Sequence, residues 1–435
     1  MDPPVSGVKA RVSCGWKWAV LFSCFLTKSL NTGLRKSFGV LLLPLQDHFN
    51  QDVWLLGMMV SISVSVGDFT GPIVGGLSKR LGCRVVVMTG GIFLCFGLVF
   101  ASLATNIIQL AVFLCVVVGL GFGFVNDVPF AVLGRYFEAN FSLANGFAMT
   151  GTSFGLMLLG PLTAFLIDVY GWRGTLLFLG AIAFHITSLG AILIDPNKLS
   201  IRRDKKNVTD YEPIEVKKQE ATLEKYCNFI IQSFDITLFK EPKFISIIVV
   251  TTIIRFIQMA WLIYLVPNVI SKGVSNLSAS FISTTAGVGA GIGQLLPGII
   301  TSVADKYPSS RTIWTIGMAI ISVSLALDGL VDSYAGMLIL GACQGIGLGI
   351  TYATNNVVLF DEFGKDRLVN SMGYVRGFSG FGRVLGGILP GWIYQMTSSY
   401  HWSYVILGII QALAIVILHI GRIFLHCSCC TCKES

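Results

Sequence analysis

The stretch "NKLSIRRDKKNVTDYEPIEVKKQEATLEK", Asn197 to Lys225, is the heart of the only extended charged segment in a chain of 435 residues. Around it the sequence is a succession of apolar runs with short polar links, and a spanning helix needs about 20 mostly apolar residues. Six such runs precede the segment: Trp18–Leu45, Trp54–Leu77, Arg84–Ala104, Ile107–Leu133, Leu143–Ile167 and Thr175–Ile194. Six follow it: Phe244–Ile270, Ala279–Ser302, Ile313–Val331, Tyr334–Phe360, Leu368–Met396 and Tyr404–Leu425. The segment itself, 195–243, reads as a solvated and partly disordered linker, too charged to bury an apolar face. The expected fold is an all-α membrane protein of twelve transmembrane helices. They form two six-helix bundles, 18–194 and 244–425, flanked by short termini at 1–17 and 426–435.

Composition agrees with that pattern. Only 12% of the residues are charged, 54% are hydrophobic and the mean hydropathy is +0.74, whereas a soluble protein carries roughly 25% charged residues. The net charge of +8 does not point to nucleic acid, because the basic residues sit in links between spans and not on one face. Lys79, Arg80, Arg84, Arg135, the linker, Lys306, Arg311, Lys365 and Arg367 occupy the even-numbered links; the odd ones offer Arg173 and Lys272. By the positive-inside rule both termini and the linker are cytoplasmic. The sequon at Asn207 then faces away from the glycosylation machinery, and the one at Asn276 lies close to the membrane. The first apolar run is too long and too charged for a cleavable signal.

Four of the eleven cysteines, Cys427, Cys429, Cys430 and Cys432, crowd the tail. Their spacing is too tight for the usual paired zinc ligands, and cysteines just beyond a membrane span are typical acylation sites. Unmodified thiols remain an open alternative. No cofactor or metal is expected, nor an enzyme: no nucleophile–base pair, ligand cluster or phosphate loop stands at usable spacing. The glycine run "GVGAGIG" follows no strand and reads as helix packing. An internal repeat supports the split into halves. The fourth span carries "GLGFGF" from Gly119 and the tenth "GIGLGI" from Gly345; small residues so spaced let membrane helices approach closely.

The link after the second span, "GGLSKRLGCR" from Gly75 to Arg84, resembles the signature of the major facilitator superfamily, with Lys79 in place of its acidic residue. The equivalent link "SVADKYPSSR" keeps an acid at Asp305. "CGWKWAV" (Cys14 to Val20) is similar to the opening of monocarboxylate transporters. So is "GRYFEANFSLANGFAMTGTSFG", with Asn145, Gly146 and Gly151, followed by "YGWRG". The resemblance covers the whole chain and implies a divergent member of that transporter family. It puts the family's first-helix lysine on Lys36, followed by Ser37, where it would bind proton and carboxylate. Where the family often has an aspartate and an arginine in the eighth helix, this chain has Ala290 and Gln294. The basic triplet after Tyr-Phe becomes Ala139, Asn140 and Phe141. The resemblance also implies a single-span, immunoglobulin-like chaperone.

The loss of the eighth-helix ion pair turns attention to the other charges at membrane depth, which are costly there and usually functional. Lys28 and Arg35 share a helix face to within about 20°, and Lys36 lies about 80° from Lys28. Asn31, Thr32 and Gly33 suggest a loosened helix lining a cavity; snorkelling of Arg35 and Lys36 to the interface is the alternative. Asp68 and Asp127 are natural counter-ions for these cations, either as proton carriers or as a static pair. Arg255, Arg376 and Arg383 could supply the missing arginine, since guanidinium grips a carboxylate through two parallel hydrogen bonds. Gln258 and Gln294 add neutral partners. His185 reads as structural, and Asp328 as a marker of the interface. The function expected is alternating-access transport of a small, monocarboxylate-like organic anion at the plasma membrane, with proton coupling open. Two rivals stand beside it: a uniporter of a zwitterionic or neutral solute (creatine-, carnitine- or amino-acid-like), and a non-transporting membrane sensor.

Overall fold

The computed structural model describes residues 14–51, 53–195, 235–274, 276–303, 308–328, 330–331, 333–397 and 400–431. Asp305, Asn207, Cys432 and most of the linker lie outside the described residues. No water is available in a bilayer to satisfy peptide groups, so each apolar run closes its hydrogen bonds within itself as a helix. In chain order these are α1 (Cys14–Phe49), α2 (Val53–Phe69), α3 (Gly71–Leu81), α4 (Cys83–Ser102), α5 (Ile107–Ala111), a π-helical turn (Val112–Val118), α6 (Gly119–Asn126), α7 (Val128–Tyr136) and α8 (Phe141–Ile192). After the linker come a 3-10 turn (Ile236–Lys240), α9 (Pro242–Ser271), α10 (Asn276–Val303), α11 (Ser310–Asp328), α12 (Tyr334–Thr397) and α13 (Tyr400–Thr431). The last helix continues through Cys427, Cys429 and Cys430.

Among the described residues eight helices are long and apolar enough to cross a membrane. Two of them, α8 and α12, turn back at a glycine with left-handed backbone, Gly171 (φ 65) and Gly364 (φ 71), and so cross twice. That conformation carries a Cβ penalty for any other residue. The second span is α2 and α3 together, bent by 45°. With α1, which carries Lys28, Arg35 and Lys36, the spans number twelve.

One expectation needs correction. The loosened helix at Asn31–Gly33 does not occur: α1 runs unbroken from Cys14 to Phe49. Gly33 serves close packing instead, since a Cβ there would meet the Gly155 carbonyl at 2.8 Å. The break falls in the fourth span, at Asp127 between α6 and α7, where Pro129 has no N–H to continue the ladder. The linker is ordered at its end: residues 235–241 form a strap under the bundles, with Leu238 fully buried. Asp235 accepts from Arg367 Nε at 2.7 Å, Glu241 accepts from Arg367 Nη1 at 2.5 Å, and Lys79 Nζ stands 4.0 Å from Asp235.

The bundles repeat each other. In the first, Gly151 and Gly155 of the fifth span receive the carbonyls of Phe25 and Ser29 from the first; added Cβ atoms would meet them at 2.3 and 2.0 Å. In the second, Gly382 and Gly386 of the eleventh span receive Thr252 and Phe256 of the seventh, each at 2.3 Å. Small residues let these backbones touch. The bundles meet each other on the linker side. There Gly71 abuts Gly373, Gly146 abuts the Gln294 carbonyl, and Lys365 donates to Glu138 at 2.5 Å.

Candidate substrate site

The site forms where the interrupted fourth span faces the eleventh. The break at Asp127 frees a carboxylate at the depth of α6 and α7. Across the interface, Arg376 and Arg383 of α12 sit seven residues apart and share a face. Arg376 Nη1 donates to Asp127 Oδ1 at 2.9 Å, and its Nε lies 3.1 Å from Asp68 Oδ1. The latter is an ion pair by distance without hydrogen-bond alignment, for Asp68 Oδ1 makes no hydrogen bond. Arg383 donates to Asp68 Oδ2. Asp68 is 0% exposed. Both carboxylates belong to the first bundle and both guanidiniums to the second, so the ion pairs bar the interface.

Neutral groups extend this network into the first bundle. Asn126 Nδ2 donates to Asp127 at 3.2 Å, while its Oδ1 accepts from Lys28 Nζ at 2.8 Å and from Asn31 Nδ2 at 3.3 Å. Arg35 lies over the Phe122 ring, 4.6 Å from its centroid, and its Nε and Nη2 find no hydrogen-bond acceptor. Arg255 lies over Tyr352 at 3.8 Å. Neither Arg35 nor Arg255 has a carboxylate partner among the described residues. A small cavity opens beside Arg255, lined by Asp127, Asn355, Asn356, Met372, Val375, Arg376 and Ser379.

The repeat shows how this chemistry became one-sided. Asn145 holds in the fifth span the place that Arg376 holds in the eleventh. It donates to the Ala353 carbonyl at 2.7 Å and accepts from Asn356 at 3.1 Å. Ala353 in turn occupies the place of Asp127, and Gln294, facing Gly146, that of Asp68, facing Gly377. Two equivalent contacts between bundles are thus built differently, one neutral and one ionic.

Of the residues singled out in the sequence, Asp68, Asp127, Arg255 and Arg376 come together here. Gln294 is buried beyond the neutral contact, its Oε1 without a partner. Lys36 stands apart from the cluster. Arg35 on one side of it faces Phe122, Gly33 and Ser37 on the other pack against the fifth span, and Lys36 lies exposed on the strip between. Arg84 is exposed at the start of α4. His185 bonds its own helix, at the Ala181 carbonyl. Asp328 is not an interface marker: it is buried, accepts from Asn268 at 2.7 Å, and its carbonyl accepts from Lys272. Asn126, Tyr352, Asn355 and Asn356 escaped sequence reasoning, although paired asparagines in an apolar span are a legible signal.

The comparisons with known proteins agree with this architecture. A family model described as the Major Facilitator Superfamily matches residues 18–265 and 247–425. Monocarboxylate transporter 13 of Rattus norvegicus is 28% identical over 395 residues, covering 91% of this chain and 86% of the relative. Monocarboxylate transporter 2 of Homo sapiens is 26% identical over 429 residues, covering 97% and 87%. Among solved structures, the human organic anion transporter MFSD10 superposes with a TM-score of 0.69 at 14% identity, over 92% of this chain and 99% of that one. The E. coli fucose:proton symporter FucP gives 0.64 at 16%, over 92% and 98%. At such identities the two structures speak for the fold alone. The chain belongs to the Major Facilitator Superfamily and is a divergent relative of its monocarboxylate transporters, a transporter and not an enzyme.

Proposed function

We propose that this protein carries small organic anions of the monocarboxylate class across the plasma membrane by alternating access, with both termini cytoplasmic. The observation that carries the reading is the charge count of the buried cluster. Lys28, Arg35, Arg255, Arg376 and Arg383 stand against Asp68 and Asp127 alone among the described residues. A buried cation without a counter-ion is costly, and an anion entering the cavity beside Arg255 relieves that cost. Guanidinium also suits a carboxylate by geometry, through two parallel hydrogen bonds.

With the linker side cytoplasmic, the contacts between bundles close the inner face. Lys36, exposed on its strip, meets the anion on the way in. The anion then settles at Arg255 and competes with Asp127 for Arg376. Reorientation separates the second span from the eleventh and must break the Asp68 and Asp127 pairs. A proton taken up by either aspartate would neutralise the carboxylate left behind, which couples transport to a proton gradient. Surface delivery with a single-span chaperone and acylation of the tail cysteines complete the proposal.

The test is uptake of labelled L-lactate by the purified chain in liposomes, with and without an inward proton gradient. Uptake above empty liposomes supports the carrier, and stimulation by the gradient supports coupling. Uptake indifferent to the gradient removes the coupling alone.

A further inference from the structure

We infer that Asn355 and Asn356 read a hydroxyl on the carbon beside the cargo's carboxylate, so that the preferred monocarboxylate is a 2-hydroxy acid. This rests on the reading of the cavity as an anion site and deepens it. Both asparagines line that cavity, and both are buried. One end of each amide is already committed. Thr251 Oγ1 donates to Asn355 Oδ1 at 3.0 Å, and Asn356 Nδ2 donates to Asn145 Oδ1 at 3.1 Å. These bonds fix which way each amide points. Among the described residues Asn355 Nδ2 and Asn356 Oδ1 make no hydrogen bond, and both atoms remain accessible. The wall therefore offers one donor and one acceptor, the two partners that a hydroxyl uses in full.

The place of this pair beside the anion seat follows from α9. Thr251 and Arg255 are four residues apart, so they stand one above the other on one face of that helix. The amide that Thr251 orients thus belongs to the same stretch of wall as the Arg255 guanidinium. A carboxylate gripped by Arg255 through both its oxygens turns its next carbon away from the guanidinium, and an oxygen on that carbon is what the amides can reach. The other acceptor of the cavity, Asp127, is already taken by Arg376 and Asn126.

The repeat shows that Asn355 is not scaffold. Cys24 and Lys28 hold in the first span the places of Thr251 and Arg255 in the seventh. Cys24 Sγ donates to the Pro129 backbone carbonyl at 3.3 Å, whereas Thr251 meets a side chain, that of Asn355. Asn355 stands where the fourth span has Pro129, yet the tenth span is continuous helix there and needs no amide to hold it. A buried amide with an unused end is costly, and a hydroxyl on the cargo relieves that cost.

The test measures binding of L-lactate, pyruvate and propionate to the purified full-length chain by equilibrium dialysis. The three share a skeleton and differ only at the carbon beside the carboxylate. L-lactate is expected to bind at least about tenfold tighter than propionate, with pyruvate, which can only accept, between them. Asn355→Leu should bring L-lactate down to the propionate level. Thr251→Val, which alters a positioning residue, should reduce the same preference, and it decides alone if Asn355→Leu fails to fold. Propionate binding as tightly as L-lactate in the unaltered protein overturns the inference and leaves the anion site standing. Pyruvate binding tighter than L-lactate overturns the reading of a hydroxyl. A preference that survives both substitutions overturns the assignment to Asn355. Absence of binding by all three anions overturns the anion site and the inference together.

Discussion

Arg376 Nη1 donates to Asp127 Oδ1 at 2.9 Å across the bundle interface, and where the repeat places the matching contact, Asn145 donates to a backbone carbonyl at 2.7 Å. The ionic contact is the stiffer of the two, since removing one partner of a buried ion pair leaves an uncompensated charge at a cost of about 3–5 kcal/mol. Both side chains here are only partly covered, at 11% and 21% exposure, so Arg376→Gln is expected at the low end of that range. Thermal unfolding in detergent measures it. The double variant with Asp127→Asn should lose less than the two single losses added together.

The strap under the bundles supplies an acid that the link after the second span lacks. Lys79 stands where the superfamily signature is acidic, and Asp235 of the linker lies 4.0 Å away while accepting from Arg367 Nε and Nη2. Each such pair, part-exposed, contributes about 0.2–1 kcal/mol. Asp235→Asn should loosen the closed inner face. A cysteine at Asn370, which packs against Gly75, should then react with a maleimide several-fold faster.

The same carboxylate makes a prediction about pH. Burial raises the Asp235 pKa, but hydrogen bonds from Arg367 and Thr237 outweigh it and hold the group below the usual carboxylate value. A carboxyl depressed in the folded state contributes its stability above the unfolded value, about 3.9, and loses it as pH falls through the lower folded value. Asp235 is therefore fully charged from pH 5 to 8. Any pH dependence of uptake in that window belongs to other groups, and its slope should persist in Asp235→Asn.

Packing between the first and fifth spans is tested at two glycines of one helix. A Cβ on Gly155 would lie 2.0 Å from the Ser29 backbone carbonyl, whereas one on Gly160 meets nothing within 4 Å. Gly155→Ala should destabilise by about 1–3 kcal/mol through overpacking. Gly160→Ala should be neutral or stabilising by up to about 1 kcal/mol, as expected for alanine replacing glycine in a helix. Thermal unfolding separates the two.

Lys36 offers the opposite contrast. Its side chain is exposed and contacts no partner among the described residues, so Lys36→Gln should leave the unfolding temperature within about a degree or two, as surface changes stay near ±0.5 kcal/mol. Uptake of L-lactate should nevertheless fall at least tenfold.

The fold was legible in the sequence because a bilayer leaves an apolar run one option, and helix ends fall within a few residues of the composition boundaries. The six-plus-six division and the repeat in the fourth and tenth spans carried over for the same reason. Pairing was harder to read. Asp68, Asp127 and Arg376 stood out as charges in apolar runs, but which arginine meets which aspartate depends on how two bundles dock. Local pattern also misplaced the break: the polar "NTG" of the first span packs as ordinary helix against Gly155 and Leu159, while Pro129 interrupts the fourth. The strap at 235–241 was hidden because its order comes from Arg367, distant in sequence, and not from its own composition.

The central claim is that the cationic cavity moves anions. The most direct test is accumulation of labelled L-lactate by the purified chain in liposomes, compared with Arg255→Gln and with empty liposomes. The account predicts saturable uptake well above the empty control, reduced at least tenfold in the variant. Uptake by the unaltered protein no greater than by empty liposomes would contradict it.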